Sequence, residues 1–213
     1  MSTTQVVQVA SISTALAAAG GIANMSLFDI PMLVSQPASR SLPLIRWLFS
    51  RGSHIFPTAA FVSSSGFAYL AYNALPPATG TFNNLLSSAT RGGPVTWYVV
   101  AAALSISIAP WTMLVMVPTN FTLIEKNEQK GGKRSAATPD SATKRSADGS
   151  VNSEGDASQW TDLSVPQERT KENTTKDEDR EVQQLLEKFG RLNSARAVLI
   201  GLGGVVGLVG ALG

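Results

Sequence analysis

Four apolar segments, each about 18–24 residues long and nearly free of charge, constrain this chain more than any other feature. A helix of that length crosses the ~30 Å hydrocarbon core of a bilayer, where every backbone polar group must be bonded internally. The sequence therefore predicts an all-α fold, a four-helix transmembrane bundle with the lipid bilayer as its partner. The predicted spans are residues 6–28, 55–75, 94–117 and 195–212.

Charge is distributed unevenly along the chain. Residues 1–124 contain one acidic residue, Asp29, whereas residues 125–191 hold the other 14 of the 15 acids and 12 of the 17 bases. The net charge of +2 is a near-cancellation without a basic patch, so we predict no nucleic-acid partner. Because the chain has no cysteine and a single histidine, His54, we also predict no metal and no cofactor.

The polar stretch between the third and fourth spans, residues 125–177, contains few large apolar side chains apart from Trp160 and Leu163. Such a composition cannot bury enough apolar surface to offset the entropy of ordering the chain. We therefore predict a long disordered loop over 125–177, and we expect deletion of residues 130–156 to leave the protein folded.

Three regions follow from these patterns: residues 1–124 with the first three transmembrane helices, residues 125–177 as the disordered polar loop, and residues 178–213. The last region begins with apolar residues at helical spacing, which predicts an amphipathic helix on the membrane surface or against the bundle. That helix is expected to bend near Gly190 into the fourth span. The stripe consists of Val182, Leu185, Leu186, Phe189 and Leu192.

Proline and arginine define the connections between the spans. Pro31 is expected to end the first span, Pro76-Pro77 the second, and Pro110 to kink the third. A loop over residues 34–53 carries three arginines without an acid, which places it in the cytosol by the positive-inside rule. We expect a multi-pass protein of an endomembrane.

Polar residues stand at one end of each predicted span: Asp29 ends the first, His54 begins the second, Thr119 and Asn120 end the third, and Arg196 begins the fourth. In a chain that threads up and down, these four ends share one membrane face. Polar side chains gathered at one depth of a membrane protein indicate a functional site.

Two of these residues are candidate bases. His54 is the only side chain whose ordinary pKa lies near neutrality, and Asp29 could orient His54 or act as the base itself. Arg196 shares a helix face with Gly203 and Gly207, whose small-xxx-small spacing lets helices approach closely. Arg196 is therefore expected to face the inside of the bundle.

Trp111, deep in the third span, could stack on a planar ligand, while Thr119 and Asn120 offer a hydroxyl and an amide. A structural interpretation of the same residues stays open. His54 can be a solvated or capping residue, Asn120 a helix C-cap and Arg196 a snorkelling side chain, with the acid merely ending the first span.

The segment 94–123, which ends in Met-Val-Pro-Thr-Asn-Phe-Thr-Leu, resembles the third-span signature of the fungal anthrone oxygenases, a family of small four-span membrane proteins. Residues 185–196, followed by a glycine-rich span, are similar to that family's C-terminal signature. Gly20-Gly21, Trp47 and the stretch from His54 also fit. Phe189 departs from the pattern, which has a tryptophan there.

This resemblance implies a membrane-bound monooxygenase that uses O₂ to oxidise a planar aromatic polyketide, an anthrone, to an anthraquinone in secondary metabolism. It implies His54 as the base, aided by Asp29, with Asn120 and Arg196 binding the oxygen of the enolate. The substrate enolate can reduce O₂ without a metal or flavin, which agrees with the absence of a cofactor predicted above. The alternative is a non-catalytic membrane scaffold or adaptor.

Overall fold

The computed structural model describes residues 1–75, 82–158 and 160–213, and within these residues the chain is helical without a strand. The all-α prediction is thus confirmed, whereas the predicted breaker Pro76-Pro77 lies outside the described residues. The helices are α1 (Thr3–Asn24), α2 (Ile30–Val34), α3 (Ala38–Asn73), α4 (Phe82–Ala89), α5 (Pro94–Ile106), α6 (Ile108–Trp111), α7 (Val117–Gln129), α8 (Ala147–Val151) and α9 (Lys176–Leu212). Two π-helical turns, Met25–Asp29 and Thr112–Met116, and a 3₁₀ turn, Asp140–Ala142, complete them.

Three helical stretches among the described residues are long and apolar enough to cross a membrane: Thr3–Val34, Pro94–Gln129 and Lys176–Leu212. They contain the predicted first, third and fourth spans. The predicted second span lies in α3, which does not belong to this group and which carries three consecutive serines, Ser63 to Ser65. These three stretches are consistent with a membrane protein, whereas the predicted second span, and with it the total of four spans, stays a prediction.

The predicted loop over 34–53 is wrong, because α3 already begins at Ala38 and carries its arginines on a helix. His54 therefore lies inside this helix and not at its start. Pro43 is tolerated within α3, since its missing N–H leaves the carbonyl of Ser39 without its usual helical donor. That carbonyl accepts a hydrogen bond from the backbone N–H of Thr170 at 2.8 Å.

Both π-helical turns come just before a proline. Pro31 follows the turn that ends at Asp29, and Pro118 follows the turn that ends at Met116. A proline ring collides with the carbonyl four residues earlier in a regular α-helix, and the wider π turn relieves this collision. The sequence predicted that the first span ends near Pro31, but the helical stretch continues past this proline to Val34.

Pro110 interrupts the third stretch as expected, since α5 ends at Ile106 and α6 starts at Ile108. The prediction of a bend near Gly190 is wrong, because α9 is one unbroken helix from Lys176 to Leu212. A Cβ atom at Gly190 would lie 3.1 Å from Cγ2 of Ile30, so glycine allows close packing here and does not end a helix.

The described residues form two compact units. The first unit comprises Met1–Ala23, Phe56–Thr112 and Ser194–Gly213, and the second comprises Asn24–Ile55 and Met113–Asn193. Four helical stretches supply the core of the first unit, which consists of Ala15, Ala18, Ile22, Ala60, Phe67, Leu70, Ala71, Tyr98, Ala101, Ile108 and Ile200.

The glycine face of α9 is buried in the first unit, as predicted. A Cβ atom at Gly203 would lie 2.5 Å from Oγ of Ser105, and one at Gly207 would lie 2.3 Å from the ring of Phe67. Arg196, on the same face, is buried as well. Small residues on α9 thus let neighbouring helices approach at van der Waals distance.

The second unit corrects the prediction of a disordered loop over 125–177. In the structure Arg134 is fully buried, and its guanidinium lies 3.2 Å from the carboxylate of Asp156 and 3.6 Å from that of Asp162. Arg145 pairs with the buried carboxylate of Glu128 at 3.1 Å. The core of this segment is ionic, so an apolar count could not detect it.

Hydrogen bonds keep the Asp162 carboxylate ionised inside this core. Burial raises the pKa of Asp162, but hydrogen bonds from Ser135 and Ser164 and the charge of Arg134 outweigh burial and lower it to about 2. The carboxylate therefore stays negative at neutral pH opposite its guanidinium partner.

The folded segment is attached to α3 through that helix's arginines. Arg46 is 2% exposed. Its guanidinium donates to Oγ of Ser150 at 3.1 Å and to the backbone carbonyl of Ser150 at 2.8 Å. Burial lowers the pKa of Arg46 to about 10, which leaves it protonated at neutral pH. Arg51 donates to the carbonyl of Ser164 at 2.9 Å.

Apolar packing completes the second unit. The ring of Phe49 on α3 meets the ring of Phe189 edge-to-face, with centroids 5.0 Å apart. Val182 and Leu186 are buried on the same face of α9, so the predicted amphipathic helix packs against protein.

Candidate functional site

A cavity of about 390 Å³ lies within the second unit, and this volume is typical of small-molecule sites. Its walls are mostly apolar, with the carboxylate of Asp29 and the amide of Gln36 as polar groups. The residues that line it are Asp29, Met32, Leu33, Gln36, Leu44, Trp47, Leu48 and Pro166. The cavity is open on one side, and an apolar surface with few polar groups suits a flat, apolar ligand that needs orientation at one or two atoms.

Local structure explains how Asp29 comes to line this cavity. The residue closes the π-helical turn Met25–Asp29, which the following Pro31 favours. π-helical turns are frequent at functional sites because the extra residue turns side chains away from their regular helical positions. Within the described residues no cation lies at ion-pair distance from this carboxylate, which leaves its oxygens available to a ligand.

Helix α3 forms the opposite wall with three residues at helical spacing, Leu44, Trp47 and Leu48. The indole N–H of Trp47 donates to the carbonyl of Ser164 at 2.9 Å, which fixes the ring in place. Pro166, two residues further on, contributes the remaining side of the cavity. The segment predicted to be disordered thus provides part of the wall.

His54 does not line this cavity. It lies two helical turns after Trp47 on α3, and its ring stacks on that of Trp160 with centroids 3.8 Å apart and an interplanar angle of 26°. In the sequence, the one signal for this partner is the scarcity of large apolar residues around Trp160. Of the six predicted site residues, Asp29 alone is among the cavity-lining residues.

Thr119 and Asn120 lie in α7 within the second unit. This helix continues to Gln129, so the interpretation of Asn120 as a helix C-cap is wrong. Oγ1 of Thr119 and Oδ1 of Asn120 are buried, and neither has a hydrogen-bond partner among the described residues. Buried polar atoms of this kind are available to a ligand or to water.

Arg196 and Trp111 belong to the first unit. The guanidinium of Arg196 lies over the ring of Phe56, 5.9 Å from its centroid, a cation–π distance. A Cβ atom at Gly21 would lie 3.3 Å from the same ring, so glycine on α1 makes room for it. Trp111 is the last residue of α6 and is partly buried.

Among the cavity-lining residues, Asp29 alone was predicted as a site residue, so the sequence did not identify Gln36 or Pro166, nor Trp160 as the partner of His54. The first two carried no periodic or charge signal. Trp160 is an isolated aromatic residue in a polar stretch, and that isolation is the signal that singles it out. No cluster of three or more potential metal ligands occurs in the part of the chain that the structure describes.

Comparison with known proteins gives one family. The sequence model of the anthrone oxygenase family matches residues 46–206. The chain is also 28% identical to anthrone oxygenase AgnL2 of Paecilomyces divaricatus over 127 residues, which cover 58% of this chain and 68% of that protein. No solved structure is significantly similar.

Proposed function

Because this chain belongs to the anthrone oxygenase family, we propose that it is a membrane-bound monooxygenase that uses O₂ to oxidise a polyketide anthrone to an anthraquinone. The observation that carries the proposal is the cavity of the second unit, whose apolar walls hold one carboxylate, that of Asp29. An anthrone is flat and apolar, and its reaction begins with the loss of a proton to a base. The apolar walls of the cavity fit the flat substrate, and the carboxylate of Asp29 can accept its proton.

The reaction begins with a proton transfer to a base, and the later electron transfer to O₂ requires no cofactor. The methylene carbon of an anthrone lies between two aryl rings and is conjugated with the ketone, so loss of one proton gives an electron-rich enolate. This enolate passes one electron to O₂, and the two radicals combine into a peroxide at the same carbon. Loss of the second methylene proton and cleavage of the O–O bond then give the quinone carbonyl and water.

We assign the first proton transfer to Asp29, with His54 as the alternative base. Asp29 lines the cavity, whereas His54 stacks on Trp160. The amide of Gln36 is the donor within the same cavity that can bind a substrate oxygen, and the ring of Trp47 offers a flat surface. The apolar walls offer few polar groups that would compete with the substrate for these two residues.

The test is anthrone turnover by the purified full-length protein in lipid nanodiscs, with and without O₂. We expect anthraquinone formation above the spontaneous rate with O₂ alone, and one ¹⁸O atom from ¹⁸O₂ in the new carbonyl. Heat-denatured protein gives the spontaneous rate. The non-catalytic scaffold predicts no difference from that control.

Active protein is expected to contain no stoichiometric metal or flavin. The expectation follows from the absence of cysteine and from a single histidine, which leave no usual ligand set. Elemental analysis and absorbance spectra of protein with measured turnover check it. Iron, copper or flavin at one equivalent, lost together with activity, would contradict it.

The role of Arg196 in binding the enolate oxygen stays a prediction that one substitution tests. Arg196→Lys keeps the charge but loses the planar guanidinium, which also lies over the ring of Phe56. We expect turnover to fall by about tenfold or more at unchanged membrane abundance. Arg40→Lys, at an exposed position of α3, is the matched control and should retain activity.

Equal turnover in the Arg196→Lys and Arg40→Lys proteins would assign Arg196 to packing alone. A fall in membrane abundance with normal turnover per molecule would lead to the same assignment.

A further inference from the structure

Three large apolar side chains of the second unit are largely exposed. Trp160, Leu163 and Val165 are 67%, 86% and 67% exposed, and we call residues 160–165 the apolar turn. The surrounding segment folds around buried ion pairs such as Arg134–Asp156, so it does not use these side chains for its core. Exposed apolar groups that are close together in an otherwise polar segment indicate a contact with something outside the protein.

The apolar turn is fixed in place. The carbonyl of Ser164, between Leu163 and Val165, accepts hydrogen bonds from Trp47 and from Arg51, both at 2.9 Å. The carboxylate of Asp162 accepts from the backbone N–H of Ser164 at 2.9 Å. These hydrogen bonds hold the backbone of the turn in the conformation that exposes the three side chains.

The surroundings of the turn indicate the kind of partner that fits it. Trp160 stacks on His54, whose neighbour Ile55 is also an exposed apolar residue. Pro166, directly after the turn, lines the same cavity as Met32. Met32 is exposed and lies near the end of Thr3–Val34, a helical stretch that can cross a membrane. The turn is thus adjacent to a cavity that it shares, through Pro166, with a helical stretch long and apolar enough to cross a membrane.

We propose that the apolar turn is a membrane anchor whose side chains enter the boundary between phospholipid headgroups and acyl chains. Indole rings favour this boundary because one part of the ring is apolar and another carries a polar N–H. Leu163 and Val165 provide the apolar surface that reaches the first acyl carbons. The partner is a phospholipid bilayer, and the inference holds independently of the reaction that the protein catalyses.

The test uses the fact that the natural chain has no cysteine. Leu163→Cys and Val165→Cys are labelled separately with the environment-sensitive fluorophore NBD in the full-length protein, reconstituted into phosphatidylcholine nanodiscs. Ser141→Cys is the matched control, because Ser141 is an exposed polar residue of the same unit. Both test positions are exposed, so the label requires no change in packing.

We expect blue-shifted NBD emission at positions 163 and 165, with quenching by lipids that carry a doxyl group at acyl carbon 5. Quenching at these positions should exceed that at position 141 several-fold. Water-like emission at both positions would overturn the proposal. Blue-shifted emission without quenching by the doxyl lipids would also overturn it, because the turn would then be covered by protein.

Discussion

Asp29→Asn should lower the rate of anthrone oxidation by about 10²–10⁴-fold, because asparagine keeps the size and polarity of the side chain but cannot accept the methylene proton. Asp29 lines the cavity of the second unit. Substrate affinity should change little, since the cavity keeps its apolar walls. The measurement is single-turnover anthraquinone formation at matched protein concentration in nanodiscs.

Two further variants make this result specific. Asp177→Asn changes an exposed acid at the start of α9 and should leave the rate as in the natural protein. His54→Gln removes the alternative base, and we expect a smaller effect because His54 stacks on Trp160 and does not line the cavity. A loss of 10²–10⁴-fold in His54→Gln with near-normal turnover in Asp29→Asn would reverse the assignment. Near-normal rates in both would reject this cavity as the active site.

Arg134→Met should lower the free energy of unfolding by about 3–5 kcal/mol, the usual cost of removing one partner from a buried ionic group. The substitution leaves the carboxylates of Asp156 and Asp162 buried opposite an apolar side chain. The thermal unfolding midpoint in detergent micelles should therefore fall by many degrees. Lys144→Met is the control, because the Lys144–Glu172 pair is exposed and contributes about 1 kcal/mol or less.

An unchanged unfolding midpoint in Arg134→Met would contradict the ionic core and would favour the disordered loop that the composition predicts. The ionic core also changes the expected result of deleting residues 130–156. That deletion removes Arg134, Arg145 and Ser150 together, so we expect it to abolish folding of the second unit.

The sequence predicted the parts of this fold that depend on local patterns. Apolar length predicted three helical stretches that are long and apolar enough to cross a membrane, and the glycine spacing of α9 predicted its close packing around Gly203 and Gly207. The helix ends were less accurate, because a proline stops a helix only when nothing else accommodates it. Pro31 is accommodated by a π-helical turn, and Pro43 by a hydrogen bond from Thr170.

The folded polar segment escaped prediction for a different reason. Its core pairs Arg134 with Asp156, and Arg46 with Ser150, residues that are far apart in sequence. Composition counts these side chains as solvated charges, because no periodicity marks which of them will meet. The same limit applies to the candidate site, where Asp29 was visible as a solitary acid but Gln36 and Pro166 were not.

The burial of Arg46 has a consequence for the order of events during synthesis. Its hydrogen-bond partner, Ser150, comes 104 residues later in the chain. At ribosomal speeds of about 5–20 residues per second, this residue arrives roughly 5–20 s after the arginine. During that interval the guanidinium must stay in water or on a chaperone, so the second unit reaches its final form late in translation or after it. A chain that ends before residue 150 would therefore keep this arginine without its partner.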